Sequence, residues 1–177
     1  MANSSLVVPD AVTFEQAIAI THALLAEMEQ GSLSEADIQT AIASLVQSEN
    51  GGRGFFVTYL TNEGSLADQP SAAVVTALQS SPAIVAELLV KNLAMSSAMA
   101  IAHRRNQNEK MAQGSDQVQR RTADLIQKVC LPEVAEKARQ LQESAATGTG
   151  AYQNFLDRWG YDAEQRSRIA AAVQAVL

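Results

Sequence analysis

The sequence predicts an all-α fold: a multi-helix orthogonal or bundle arrangement around one buried central helix. Three observations carry this. Residues 82–105, PAIVAELLVKNLAMSSAMAIAHRR, are apolar on nearly every side of a helical projection. Hydrophobic residues make up 47% of the chain but aromatics only 5%, so Ala, Leu, Val and Ile carry the apolar content, as alanine-rich helix packing would use. Only residues 55–61, FFVTYLT, favour a strand. No second strand candidate exists for them, and a lone strand leaves its backbone groups unpaired. They are therefore read as a short helix, within a total of about seven to nine.

The central stretch opens with a helix start. Ser81 stands where a cap belongs and Pro82 at the first helical position, where its missing N–H costs nothing. Ile84 occupies the position a reciprocal capping box would need, so only half of that motif is expected. Ile84, Leu88, Met95 and Met99 share one stripe, Val85, Leu89 and Leu93 a second, and Ala86, Val90, Ala94, Ala98 and Ala102 a third. A surface this wide calls for several helical neighbours, and the alanine row allows one to approach closely. The stretch is long enough to span a bilayer. Glu87 and Lys91, in the favourable i, i+4 order, instead mark the wet strip of a mostly buried helix, so no membrane span is expected.

The other elements follow in order. Thr13 opens a helix with Gln16 as its capping-box partner, and Gly31 closes it. Ser34 begins a second helix, with Glu35 and Asp37 at the positive end of its dipole. Asn50-Gly51-Gly52-Arg53-Gly54 reads as a flexible break and residues 62–69 as a polar loop. Pro70 starts a short helix to about Ser80. The central helix is expected over residues 82–105, with a polar tail that could carry it as far as Ala112, Gly114 as its stop and Ser115 as the next cap. Residues 116–129 form a further helix, and Pro132 marks a start or a kink. Thr147-Gly148-Thr149-Gly150 is a linker, Tyr152, Phe155, Leu156 and Trp159 make a short aromatic helix, and Asp162 caps the last one.

At 177 residues the chain suffices for one domain with a substantial core, expected over residues 13–177 behind a flexible arm at 1–12. The lone cysteine, Cys130, excludes an internal disulfide and points to a reducing compartment. The first ten residues lack a basic region and a long apolar run, so a cytoplasmic location is expected. The net charge of −6 is uneven: residues 1–80 carry nine acids and one base, Arg53, while 81–177 carry ten acids and twelve bases. That asymmetry suits contacts between copies, or simply a solvated acidic face.

The strongest polar cluster is His103, Arg104 and Arg105, followed in sequence by Lys110, Arg120, Arg121 and Lys128. It reads either as a site for an anion or acidic partner, or as cations at the favourable end of a helix dipole. Nucleic acid is not expected, since the chain is acidic and shows no binding motif. His22, His103 and Cys130 have no metal-ligand spacing, so neither metal nor cofactor is expected, and Cys130 reads as a small packed residue. The glycines at 51–54 lack the spacing of a phosphate loop. Met95 and Met99, with Phe55, Phe56 and Tyr59, could line an apolar ligand pocket. No nucleophile–base pair or redox motif stands out.

Two stretches, GRGFFVTYLT at 52–61 and NLAMSSAMAIAHRRNQNEKMAQGSDQVQRRT at 92–122, resemble a family of uncharacterised small helical proteins from cyanobacteria. The resemblance implies a source and brings no activity, cofactor or binding residue with it. The function expected is a non-enzymatic interaction or regulatory protein, homodimeric or bound to another protein. The alternatives are a carrier of an apolar ligand or pigment, and an anion-binding module built on residues 103–105.

Overall fold

The structure, a computed structural model, describes residues 6–177. Among them nine α-helices and no strand are present. They are α1 (Phe14–Gln30), α2 (Glu35–Leu45), α3 (Glu49–Thr61), α4 (Ala72–Gln79), α5 (Pro82–Arg105), α6 (Glu109–Val129), α7 (Pro132–Thr147), α8 (Gln153–Arg158) and α9 (Ala163–Gln174). The chain divides into two compact units, one up to Leu88 and one from Leu89 onward. The boundary falls inside α5, the central helix.

In the first unit, α1 packs on α3 and α2 on α4. Thr13 Oγ1 accepts from Gln16 N at 3.2 Å while Thr13 N donates to Gln16 Oε1 at 2.9 Å, the expected capping box. The segment 50–54 is no break. Ser48 caps α3 by accepting from Gly51 N at 3.1 Å, and Gly51, Gly52 and Gly54 are buried inside the helix. A Cβ on Gly54 would lie 2.5 Å from Ala17 Cβ, and one on Gly52 would lie 2.6 Å from Leu88 Cδ1. Each glycine lowers helix propensity by about 1 kcal/mol. Their absent side chains are what let the helices close on α3, so packing overrides propensity. Residues 55–61 are helical as expected. Phe55 stacks on Tyr59 at 5.1 Å between ring centroids and meets Phe56 edge-on at 5.3 Å. Tyr59 donates from its hydroxyl to Leu66 O at 2.9 Å, holding the loop that follows.

Helix α4 starts at Ala72, two residues after Pro70, because Ser71 supplies the cap. Glu35, the first residue of α2, accepts from Ala73 N at 3.3 Å. Val12 is buried at 5% exposure, so packing begins before the cap of α1. Residues 1–5 of the expected arm lie outside the described residues.

In the second unit α5 stops at Arg105, as expected for a central helix over residues 82–105, and the polar tail toward Ala112 does not extend it. Asn108 N donates to His103 O at 2.9 Å and Gln107 N to Arg104 O at 3.0 Å, with Gln107 left-handed at φ 55°. This is a Schellman stop built without glycine. Asn108 then caps α6, its side chain accepting from Met111 N at 3.2 Å. Gly114 and Ser115 are therefore interior to α6, neither stop nor cap. Cys130 closes α6 in the left-handed region at φ 48° and is exposed, which corrects the expectation of a packed thiol. Pro132 is the first residue of α7, a start and not a kink. Gly148, at φ 75°, ends α7, and α7 packs on α9.

An 18-residue window of α5 is long and apolar enough to cross a membrane, and 61% of it is buried within the protein, as in a core helix. Ala86, Val90, Ala94 and Ala98 of the alanine row are fully buried, and Ala102 at its end is half-buried.

Candidate functional site

The two arginines that end α5 each meet two carboxylates. Arg104 Nη2 lies 2.5 Å from Asp116 Oδ2 and 3.4 Å from Glu109 Oε1, both on α6. Its Nη1 reaches Asp116 Oδ1 at 3.4 Å, so the fork grips Asp116 with both nitrogens. Arg105 Nη1 lies 2.5 Å from Asp162 Oδ2, and its Nη2 contacts Glu164. Asp162 is also the cap of α9: its Oδ1 accepts from Gln165 N at 3.0 Å, and its own N–H donates to Gln165 Oε1 at 3.1 Å. Gln165 is itself buried and donates from Nε2 to Ala98 O of α5 at 3.2 Å. A continuous polar path thus joins the end of α5, the start of α9 and the middle of α5.

Charge follows this geometry. The hydrogen bond from Arg104 holds the Asp116 carboxyl below the usual range, helped by the fields of Arg104, Arg168 and Arg120. Asp162 is lowered chiefly by the Arg105 hydrogen bond and then by the backbone bond of Gln165. The carboxylates in turn raise both arginines, which stay charged at any working pH. His103 is half-buried beside them, and the arginines are exposed. Both guanidinium forks are filled by the protein's own carboxylates, so the cluster fastens helix ends.

The other expected residues are not gathered there. Met95 and Met99 are half-buried on α5 within the second unit. Phe55, Phe56 and Tyr59 fill the core of the first unit against one another. Of the later bases in the expected cluster, Lys110, Arg120 and Lys128 are exposed, but Arg121 is only 2% exposed and is the largest fully buried side chain among the described residues. An arginine is tolerated inside only when engaged, and Arg121 has its interactions.

The surface feature that sequence reasoning missed is Trp159. The sequence places it in a short aromatic helix with Tyr152, Phe155 and Leu156; the helix forms, and 51% of Trp159 is exposed. The cause is local. Tyr161 N donates to Leu156 O at 3.4 Å and Gly160 N to Asp157 O at 3.0 Å, with Gly160 left-handed at φ 61°, a second Schellman stop. Tyr161 folds back with its ring 6.3 Å from that of Phe155, taking the inward position. Trp159 is left outside beside exposed Arg158, at the end of α8. The Trp-Gly pair that follows the apolar set Tyr152, Phe155 and Leu156 after two intervening residues is the signal that marks this. Met111, on α6 of the same unit, is likewise 51% exposed.

The first unit carries an open depression of about 710 Å³ beneath the end of α1, lined by Met28, Glu29, Asn62, Glu63, Ser65 and Leu66 with Gly64 between them. Asn62 Oδ1 accepts from Gly64 N at 2.6 Å, and a Cβ on Gly64 would lie 2.5 Å from Glu29 Oε1, so glycine there lets the carboxylate sit against the loop.

No curated protein and no solved structure matches the chain. Residues 13–176, nearly the whole chain, match a family described as an uncharacterised conserved protein. The chain belongs to that family of uncharacterised conserved proteins.

Proposed function

We propose that this is a non-enzymatic interaction or regulatory protein that acts in the cytoplasm as a homodimer, of the cyanobacterial kind suggested by residues 52–61 and 92–122. The observation that carries the reading is the half-exposed Trp159, turned outward by the stop of α8. Tryptophan and arginine are the residues most enriched at the energetic centres of protein interfaces, and methionine is enriched there too. Trp159 stands next to Arg158, and Met111 belongs to the same unit. The filled forks of Arg104 and Arg105 favour a fastening role for them over anion capture.

The chain has a single tryptophan, so its own fluorescence reads this surface. Sedimentation should give twice the chain mass at micromolar concentration, with emission moving to shorter wavelength as Trp159 leaves water. Trp159→Ala should shift the protein toward monomer without lowering its helicity. A wild-type chain that stays monomeric at high micromolar concentration, with unshifted emission, would remove the homodimer.

A further inference from the structure

Resting on the self-association reading, we propose that the surface receiving Trp159 and Arg158 is the depression at the end of α1 on a second copy of this chain. Its lining suits that corner in both chemistry and sign. Met28 and Leu66 give it an apolar side for the indole, and Glu29 and Glu63 give it an acidic side for the guanidinium.

The first unit cannot neutralise this spot itself. The last turn of α1 carries Glu29 and no base, although the negative end of a helix dipole favours cations. The only lysine or arginine up to Leu88 is Arg53. It is committed elsewhere, lying 5.1 Å over the ring of Phe14 at the opposite end of α1. From Phe14 to Glu29, near the two ends of the 17-residue α1, the rise along the helix is about 22 Å. Neither Glu29 nor Glu63 forms an ion pair among the described residues. An unneutralised acidic depression on one unit and an outward Trp-Arg corner on the other make two halves of one contact. Each copy carries both halves, so the contact either closes reciprocally into a dimer or propagates into a chain.

The test uses full-length protein and a charge swap. Arg158→Glu in one variant, and Glu29→Lys with Glu63→Lys in another, should each weaken self-association by about 30-fold or more, as loss of an interfacial centre does. Mixing the two variants should restore a one-to-one complex, because every contact in the mixed pair is again between opposite charges. Rising salt should weaken the wild-type complex. Circular dichroism confirms that the variants fold; if the lysine variant does not, the milder Glu29→Gln, Glu63→Gln pair replaces it in the weakening measurement alone, where a smaller loss of self-association is expected. A dimer that forms but ignores changes at Glu29 and Glu63, or variants that fail to complement on mixing, would overturn the assignment of the depression while leaving self-association standing. A wild-type chain that never associates would overturn both.

Discussion

Two glycines with opposite surroundings show how much a single residue depends on what lies across from it. Gly54 faces Ala17 Cβ and Phe14 O at distances a real Cβ could not tolerate, 2.5 and 2.9 Å. Gly114 has nothing within 4 Å of where its Cβ would be. Gly54→Ala should therefore destabilise through overpacking by about 1–3 kcal/mol. Gly114→Ala should stabilise by up to about 1 kcal/mol through helix propensity. At roughly 2–4 °C per kcal/mol for a chain of this size, thermal unfolding followed by circular dichroism separates the two signs. In the sequence both glycines read as breaks, because local propensity alone offers no reason to keep glycine in a helix. The reason at 54 sits on α1, nearly forty positions away. Arg121 misled in the same way: a base among bases reads as surface until its helix face is known, and that face is buried.

Among the elements, the starts written as reciprocal capping boxes were legible. Thr13 with Gln16 and Ser34 with Asp37 are reciprocal capping boxes written within four residues, and the structure has both, as it has Asp162 with Gln165. The α5 to α6 turn was not legible, because its left-handed position carries Gln107 instead of glycine. A non-glycine residue there costs about 1–2 kcal/mol, of which glycine would return part by its own greater freedom when unfolded. Gln107→Gly should raise stability by about 0.5–1 kcal/mol and leave the ends of α5 and α6 in place. Amide exchange at Asn108, whose N–H is held by His103 O, would register the change. The outward turn of Trp159 was not legible for a related reason. Its apolar spacing from Tyr152 and Leu156 is helical, but the helix has already ended, so the period no longer says which way the side chain points.

For the whole molecule, pH acts through opposite signs at the two ends of the scale. Asp116 and Asp162, held low by Arg104 and Arg105, and Asp37, held low by the Ser34 hydroxyl and backbone, add stability that is fully present above the ordinary aspartate value of about 4. That contribution is lost as pH falls through their lower folded values. Arg105→Gln should bring Asp162 back toward its ordinary value, read as a carboxyl titration by NMR. Tyr161 works in the other direction. Its hydroxyl is buried without a partner and is pushed up to about 12 by burial. Its share of stability is complete below its unfolded value of about 10 and disappears as pH rises through 12. An absorbance titration should therefore show one tyrosine ionising late. The all-helical fold and its central rod were visible in the sequence because apolar width and alanine spacing are properties of one helix. The division at Leu88–Leu89 was not, since no glycine- or proline-rich connector announces it. That placement has a practical outcome: proteases cut where a strand of chain can be pulled open, and here the frontier between the halves is hydrogen-bonded helical backbone, so limited digestion should never release them as separate fragments and nicks should collect at exposed turns such as 149–151.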